Sequence, residues 1–269
     1  MKKILTIAGS DSGCGAGIQA DLKTFAAFGA YGTTAITALT AQNTKGVDSV
    51  LNIPYDFVAK QIDSVMTDIR PMTWKTGMLV DEEIIRTVCE RAKFYHILKL
   101  VVDPVMIAKG GDKLLTDGAV NSLIKYLIPL SFIVTPNCHE AETLTGIHVK
   151  TIEDMKKSAM AIHKMGAKNV VVKGGHSDSV EAIDILFDGE SFYEFGSERI
   201  DTKNTHGTGC TFAAAIAACL AKNNSTLSAV DKAKKYIHSA IKHAAHMHIG
   251  KGHGPLNHFG FTQSSRSIA

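Results

Sequence analysis

The chain has 269 residues, of which 45% are hydrophobic and 20% charged, so it is long enough to bury a large core. Its 29 Lys and Arg nearly balance 26 Asp and Glu and form no basic run, which argues against a nucleic acid or an anionic membrane as a partner. The five cysteines are odd in number and lack C-x-x-C spacing, so no disulfide framework or zinc site is predicted, and a reducing cytoplasm fits best.

Short β-branched runs alternate with helical patterns along the chain. Strands are predicted at 4–8, 33–40, 73–76, 98–102, 132–135 and 170–173. Apolar stripes predict helices at 18–26 and 230–244. This alternation is typical of right-handed βαβ units, so we predict a mainly parallel sheet with helices on both faces and sites at the carboxyl ends of the strands. We expect a single domain over 1–261 and a polar, frayed tail over 262–269.

The first strand runs directly into a glycine-rich loop, 9–17. Its apolar stretch is too short for a signal peptide, and no window of the chain reaches the length of a membrane span. The loop is not G-x-G-x-x-G, no acidic residue ends the second strand, and no G-x-x-x-x-G-K-[ST] occurs. These absences argue against a dinucleotide-binding fingerprint and a P-loop.

The same glycines allow the backbone to approach a flat ligand closely. Asp21 follows one turn into the next helix, and Gln42 ends the second strand. Taken alone, Asp21 also fits a solvated carboxylate that complements the helix dipole, and Gln42 fits an ordinary loop amide. Both interpretations stay open at this point.

Polar side chains follow the later strands where each strand ends. Asp103 follows 98–102, Asn137 and Glu140 follow 132–135, and Lys173 ends the next strand. Carboxylate and amide oxygens beside an ammonium group are what a magnesium nucleotide needs. Taken singly, Asp103 also fits a helix cap, Asn137 a turn after Pro136, and Lys173 a solvated strand end, but their repetition at strand ends favours a nucleotide site.

The run 204–212, with the sequence NTHGTGCTF, places two glycines immediately before a predicted helix. The apolar positions of that helix predict an amphipathic pattern: they are Phe212, Ile216, Cys219 and Leu220. Its first turn would hold the segment 207–210, whose N–H groups and positive dipole end would bind an anion above Cys210. A cysteine at such a position is expected to have a lowered pKa, suited to accept a proton or to act as a nucleophile. A glycine-rich turn capped by a small buried cysteine is the alternative.

Together these segments resemble the hydroxymethylpyrimidine/phosphomethylpyrimidine kinases, the thiamine-pathway members of the ribokinase-like superfamily. The resemblance covers nearly the whole chain and is carried jointly by 6–11, 15–25, 38–43 (ALTAQN), 75–79 (KTGML), 102–105 (VDPV), 135–137 (TPN), 173–176 (KGGH), 204–211 (NTHGTGCT) and 252–255 (GHGP). It implies a three-layer α/β/α sandwich with a mainly parallel central sheet, usually a homodimer. It also implies that MgATP phosphorylates the hydroxymethyl group of 4-amino-5-hydroxymethyl-2-methylpyrimidine, and then the monophosphate to the diphosphate.

The resemblance implies a role for particular residues. It places the pyrimidine among Gly9, Asp21, Gln42 and Met78. It places the nucleotide near Asp103, Asn137, Glu140 and Lys173, with Asp103 and Glu140 as ligands of Mg²⁺. It assigns the transferred phosphoryl group to a cradle of Gly207, Thr208, Gly209 and Cys210. The wider superfamily has an Asp base where this chain has Cys210, which leaves the identity of the base open, since a loose transition state needs positioning more than a strong base.

Two other functions stay open. A pyridoxal or pyridoxine kinase would have the same fold. Gln42 favours the pyrimidine, because an amide can pair with an aminopyrimidine edge and the resembling pyridoxal kinases commonly lack this Gln. A catalytically silent ligand-binding sensor would also keep the fold, but the joint presence of Cys210, Asp103 and Lys173 argues against it.

Overall fold

A computed structural model of the chain describes residues 1–106, 116–175 and 181–260. Its strands are β1 (Lys3–Asp11), β2 (Tyr31–Gln42), β3 (Val47–Asn52), β4 (Thr73–Thr76), β5 (Lys99–Val102), β6 (Ile133–Val134), β7 (Asn169–Lys173), β8 (Glu181–Phe187) and β9 (Phe192–Glu198). Its α-helices are α1 (Gly17–Ala27), α2 (Tyr55–Asp68), α3 (Glu82–Phe94), α4 (Asp117–Ser122), α5 (Cys138–Thr145), α6 (Ile152–Lys164), α7 (Thr208–Ala221) and α8 (Thr226–Ala244). A π-helical turn, Leu123–Leu127, and a 3₁₀ turn, Ile128–Leu130, follow α4. The predicted tail, 262–269, and His176 of the KGGH segment lie outside the described residues.

In the described ranges the strands form one nine-stranded sheet, in the order β3-β2-β1-β4-β5-β6-β7-β8-β9. The pairs from β2 to β7 are parallel, whereas β3, β8 and β9 join by antiparallel pairs at the two edges. The predicted α/β fold with a mainly parallel sheet is confirmed. The single domain expected over 1–261 stays a prediction. No helix within the described ranges is both long and apolar enough to span a bilayer.

Three strands, β3, β8 and β9, are not among those predicted from the sequence, and for β3 and β9 there is a physical reason. The edge strand β3 is exposed along almost its whole length, so it carries no apolar alternation. In β9 buried and exposed positions differ little, because no residue of the strand is fully buried. The alternation of Ile183, Ile185 and Phe187 in β8 is a readable strand signal that the analysis overlooked.

Helices cover both faces of the sheet with separate apolar cores. One face packs against α2, α3 and α6 around Trp74 and Ile162. The other packs against α1, α7 and α8 around Phe25 and Ile216. The amphipathic pattern predicted for α7 is wrong, because every residue from Thr211 to Ala221 is buried. This helix contacts β4 and β5 and also α1 and α8, which leaves it no solvent-facing side.

Strand alternation directs polar side chains toward the first turn of α7. Val101 and Val171 pack in the core on the α7 face. Since side chains alternate along a strand, Asp103 and Lys173, two residues further on, project to that same face. Lys75 does so as well, because its neighbour Trp74 packs in the core on the opposite face. The carboxyl ends of β4, β5 and β7 therefore place charged groups beneath the start of α7.

Candidate active site

The start of α7 is shaped by a glycine that no other residue replaces easily. Gly207 caps the helix with φ of 84°, in the left-handed region. A Cβ at this position would also overlap the carbonyl oxygen of Gly15 in the first glycine loop. The predicted sharp turn into a helix is confirmed. At Gly207 the loop before α7 packs directly against the loop after β1.

Gly209 faces an ion pair formed by the strand ends. Lys173 Nζ lies 3.0 Å from Asp103 Oδ1, with the lysine side chain only 14% exposed. A Cβ added to Gly209 would lie 3.3 Å from Lys173 Nζ and 3.6 Å from Asp103 Oδ2. The alternative of Lys173 as a solvated strand end is therefore wrong. Burial lowers the pKa of Lys173, but its neighbours Asp103, Glu140 and Cys210 raise the pKa by more than burial lowers it. The pKa is therefore above its ordinary value, and the ammonium stays charged.

A second ion pair lies beside the first and is fully buried. Lys75 Nζ is 2.9 Å from Asp21 Oδ2, and both side chains are 0% exposed. Thr6 Oγ1 donates a hydrogen bond of 2.6 Å to the same oxygen. The alternative of Asp21 as a solvated first-turn carboxylate is wrong. Burial raises the pKa of Asp21 above its ordinary value, although Lys75 and Thr6 oppose this.

Each of the two carboxylates keeps one oxygen available. Among the described residues, Asp21 Oδ1 and Asp103 Oδ2 are buried without a hydrogen-bond partner. Buried carboxylate oxygens are rarely left in that condition, so these two atoms mark where a ligand would bind. Sequence analysis quoted Lys75 in the KTGML segment without giving it a role. The signal that could have found it is a lysine inside an otherwise buried strand.

The thiol of Cys210 lies among these charges, and its acidity is opposite to the expectation. Gly17 N–H donates to the sulfur, and Lys75 also favours the thiolate. Burial nevertheless raises the pKa of Cys210 to about 11, and Asp103 and Asp21 raise it as well. The predicted lowered pKa is therefore wrong, because burial and two carboxylates outweigh Lys75 and the Gly17 N–H. A thiol with this pKa is protonated at neutral pH.

Asn137 and Glu140 form a capping box at the start of α5. Asn137 Oδ1 accepts the Glu140 N–H at 2.9 Å, and Glu140 Oε2 accepts the Asn137 N–H at 2.8 Å. Burial raises the pKa of Glu140 to about 7, with Asp103 adding to the shift and Lys173 opposing it. The alternative predicted for Asn137 is a turn after Pro136, whereas the structure shows it as the N-cap of α5. Its contact with a nucleotide stays a prediction.

Two carboxylates remain as candidate metal donors. No group of three or more His, Cys, Asp or Glu residues in the described ranges is placed to bind a metal ion by itself. Asp103 lies near enough to Glu140 to raise the pKa of Glu140. Among the described residues, Asp103 Oδ2 has no hydrogen-bond partner. Such a pair fits Mg²⁺ that is held mostly by phosphates and water, with one or two carboxylates added.

The predicted pyrimidine residues lie along the loop after β1. A Cβ on Gly9 would be 3.0 Å from Met78 Cε, so these two residues form adjacent parts of one surface. Gln42 is half-buried at the end of β2. Its backbone N–H donates to Ser12 Oγ at 2.8 Å, and its backbone carbonyl oxygen accepts from Ser12 Oγ at 2.7 Å. Its side-chain nitrogen lies 3.4 Å from His206 Nε2.

An Asp11–His206 pair fixes the wall beside Gln42, and sequence analysis missed it. His206 Nε2 is 2.8 Å from Asp11 Oδ2, and since that carboxylate can only accept, the ring nitrogen donates. Asp11 also accepts the N–H groups of Gly13, Gly15 and Ala16. Burial would raise the pKa of Asp11, but His206 and these N–H groups lower it overall. An acidic residue at the end of β1 and a histidine within NTHGTGC are the signals that could have indicated the pair.

Residues 250–255, which we call the C-terminal strap, close this wall from outside. His253 N–H donates to the Thr44 carbonyl at 2.8 Å, and Gly252 N–H donates to Thr44 Oγ1 at 3.2 Å. At its other end the Gly254 carbonyl accepts the His206 N–H at 3.0 Å. The strap therefore joins the loop after β2 to the loop before α7.

Known proteins match this chain over nearly its whole length. The family model described as phosphomethylpyrimidine kinase matches residues 11–257. A hydroxymethylpyrimidine/phosphomethylpyrimidine kinase of Bacillus subtilis is 49% identical over 264 residues, which cover 98% of this chain and 97% of the relative. The thiamine biosynthesis bifunctional protein ThiED of Geobacter sulfurreducens is 51% identical over 95% of this chain, but the chain spans only 52% of that relative's length.

A solved structure agrees in fold. The structure of an ADP complex of Bacillus subtilis pyridoxal kinase superposes with a TM-score of 0.90 at 38% identity, covering 98% of this chain and 99% of that one.

Proposed function

The chain belongs to the phosphomethylpyrimidine kinase family, and from this membership we propose that it uses ATP to phosphorylate 4-amino-5-hydroxymethyl-2-methylpyrimidine and then its monophosphate. One structural observation carries the proposal. Two lysine–carboxylate pairs, Lys75–Asp21 and Lys173–Asp103, converge beneath the glycine turn that starts α7. Positive charges and free helix N–H groups together stabilise a transferring phosphoryl group.

The nucleotide end of the site is Asp103, Asn137, Glu140 and Lys173. Lys173 supplies a charged ammonium toward the phosphates, since its carboxylate partner holds it at the strand end. Asp103 Oδ2 and Glu140 provide oxygens that fit Mg²⁺. When bound, Mg²⁺ would neutralise charge on the phosphate oxygens.

At the transfer point, the segment 207–210 supplies N–H groups from the first turn of α7. Cys210 lies there with a pKa of about 11, so it holds a proton and is no ready base. We therefore assign Cys210 to positioning the substrate hydroxyl rather than to removing its proton. Transfer through a loose transition state depends mainly on such positioning and on charge neutralisation.

The pyrimidine end is formed by Gly9, Met78, Asp21 and Gln42. Gly9 and Met78 lie against each other and offer an apolar contact for a ring. Asp21 Oδ1, buried and without a partner among the described residues, offers an acceptor to a ligand. The Gln42 amide can both donate to and accept from an aminopyrimidine edge.

A pyridoxal kinase is the second candidate, because a protein of that name shares the fold over nearly the full length. A coupled ATP assay with hydroxymethylpyrimidine, its monophosphate and pyridoxal, run side by side, separates the two. We expect turnover of both pyrimidines with a kcat/KM at least about tenfold above that for pyridoxal. Faster turnover of pyridoxal would overturn the assignment, and no turnover of any of the three would favour a silent ligand-binding protein.

We further propose that the protein is a cytoplasmic homodimer, with small molecules as its only other partners. All five cysteines lie in the described ranges and none forms a disulfide, which suits a reducing compartment. The edge pair β2–β3 exposes Leu39, Val50 and Leu51, with Leu39 directly opposite Leu51 in the ladder. Exposed apolar side chains grouped on an edge strand are typical of a protein contact.

A further inference from the structure

The peptide group that follows Lys173 is held at both of its polar atoms. Cys138 Sγ donates to the Lys173 carbonyl oxygen at 3.4 Å. Gly174 N–H, which belongs to the same peptide group, donates to Asp184 Oδ1 at 3.0 Å. One step back, Lys173 N–H donates to the Pro136 carbonyl at 2.8 Å. The backbone that carries the Lys173 side chain is thus bonded to α5 on one side and β8 on the other.

The acceptor of Gly174 N–H is itself half of a buried ion pair outside the site. Asp184 Oδ2 lies 2.8 Å from Lys234 Nζ, and both side chains are 8% exposed. Lys234 also donates to the Ala182 carbonyl oxygen at 2.8 Å. The pair therefore joins α8 to β8 and orients the Asp184 carboxylate, so that its second oxygen faces the turn after β7.

Strand register explains why this pair acts on Lys173. In the antiparallel β7–β8 ladder Lys173 is directly opposite Asp184, so both side chains project to the α7 face. A Cβ on Gly174 would overlap the Ile183 carbonyl oxygen, so the turn packs directly on β8. Burying an ion pair is costly, and replacing one with apolar residues is often neutral or stabilising, so stability alone does not account for it.

We propose that Asp184, oriented by Lys234, and Cys138 are positioning residues that fix the Lys173 backbone so that its ammonium meets the nucleotide phosphates. This inference rests on the proposed function, since it takes Lys173 as the phosphate-facing cation. None of the three residues touches the nucleotide in this account. They act only by setting the position of the Lys173 backbone and, through it, of the ammonium group.

Two double variants, D184N/K234M and D184L/K234M, isolate the contact. Both remove the buried charges together, and Asn and Leu have nearly the same shape, so the variants differ mainly in the oxygen that faces Gly174. We expect the KM for ATP to rise only slightly in D184N/K234M, because the oxygen that accepts the Gly174 N–H is kept while the Lys234 contact that orients it is lost. D184L/K234M should raise the KM for ATP and the Kd for ADP, measured by calorimetry, about tenfold, with the KM for the pyrimidine unchanged.

Ile185→Val is the matched control for stability, because it lies next to Asp184 in β8 and is fully buried. It should lower the melting temperature without changing either KM. Cys138→Ser and Cys138→Ala provide an independent pair if a double variant does not fold: serine keeps a donor to the Lys173 carbonyl, and alanine removes it. Only the alanine variant should weaken ADP binding.

Three outcomes would overturn the inference. The first is an equal KM for ATP in the two double variants. The second is a rise in the KM for the pyrimidine that matches the rise in the KM for ATP in each double variant. The third is equal ADP affinity in the serine and alanine variants. A failure of the proposed function has a different signature, because the unmodified protein would then either turn over pyridoxal faster than the pyrimidines or show no ATP-dependent turnover.

Discussion

Opposite charges in the site neutralise each other in pairs. Lys75 and Lys173 each have one carboxylate oxygen as a partner, and the second oxygen of each carboxylate stays available. Buried charges require partners, so these pairs maintain two cations at the strand ends without a bound phosphate. The ammonium groups are therefore in place before a nucleotide binds, which reduces the reorganisation that phosphoryl transfer requires.

Gln42→Met tests substrate choice at the rim of the pocket. The methionine removes the amide that can pair with an aminopyrimidine, and an unpaired polar edge costs about 1–3 kcal/mol. We expect kcat/KM for hydroxymethylpyrimidine to fall roughly tenfold to a hundredfold, while the value for pyridoxal changes little. Equal losses for both substrates would mean that the Gln42 side chain supports the loop, through the hydrogen bond that it accepts from Thr40 Oγ1, and does not read the ring.

The acidity of Cys210 can be measured by alkylation followed by mass spectrometry. With a pKa of about 11, its thiolate is scarce at neutral pH, so iodoacetamide should modify the exposed Cys14 first. At pH 7.5 we expect Cys210 to react at least about tenfold more slowly, with its rate still rising above pH 9. Cys210→Ala identifies the signal. Faster modification of Cys210 than of Cys14 at pH 7.5 would restore the thiolate as a candidate base.

Secondary elements differ in how far the sequence reveals them. The parallel strands from β1 to β7 are predictable because buried β-branched runs end at polar residues. The turn before α7 is predictable because its glycines precede an apolar helix. The edge strands β3 and β9 lack that contrast, since neither buries one face fully. For the candidate site, the individual residues Asp103, Lys173 and Cys210 are readable, whereas the pairs Lys75–Asp21 and Asp11–His206 depend on long-range contacts that no local pattern contains.

Gly209→Ala tests the first turn of α7. The added methyl group would lie 3.3 Å from Lys173 Nζ and fill the space above the ion pair. Alanine is the better helix former, so the melting temperature should be unchanged or higher. We expect kcat/KM for ATP to fall about tenfold or more, since misplacement by even an ångström is costly. Gly46→Ala is the control, because its Cβ would meet nothing within 4 Å. Full activity of Gly209→Ala would remove the start of α7 from the phosphate site.

Glu140→Gln tests the start of α5 through the pH dependence of stability. The pKa of Glu140 is about 7 in the folded protein, above the ordinary value of 4.5, so the folded state binds the proton more tightly than the unfolded state. The wild type therefore loses stability from this group as pH rises from about 4.5 to 7. Glutamine keeps the capping box and cannot ionise.

We expect the variant and the wild type to melt alike near pH 4.5. Above that the variant should become progressively more stable than the wild type, and the difference should level off above pH 7. Thermal melts from pH 4 to 9 measure the difference directly. A difference that is constant across this range would contradict the raised pKa.

The assembled molecule exposes one edge of its sheet. Leu51 on β3 is 63% exposed and lies opposite Leu39, which is 41% exposed. Leu51→Glu places a charge on this surface without touching either core. If the surface joins two copies, light scattering should show the mass falling by half in the variant. Leu98→Glu, at a position 77% exposed just before β5, is the matched control and should not change the mass. A monomeric wild type would contradict the homodimer.

The C-terminal strap has a consequence for the order in which a newly made chain becomes functional. Asp11 and His206 are 195 residues apart in the sequence, and the strap that holds His206 lies beyond them both. A ribosome synthesises the central strands early, and they can pair with one another before the last helix exists. The pocket wall cannot close until residues 250–255 have left the exit tunnel. The nascent chain would thus contain strands β1 to β9 before it contains the strap that completes the wall beside Gln42.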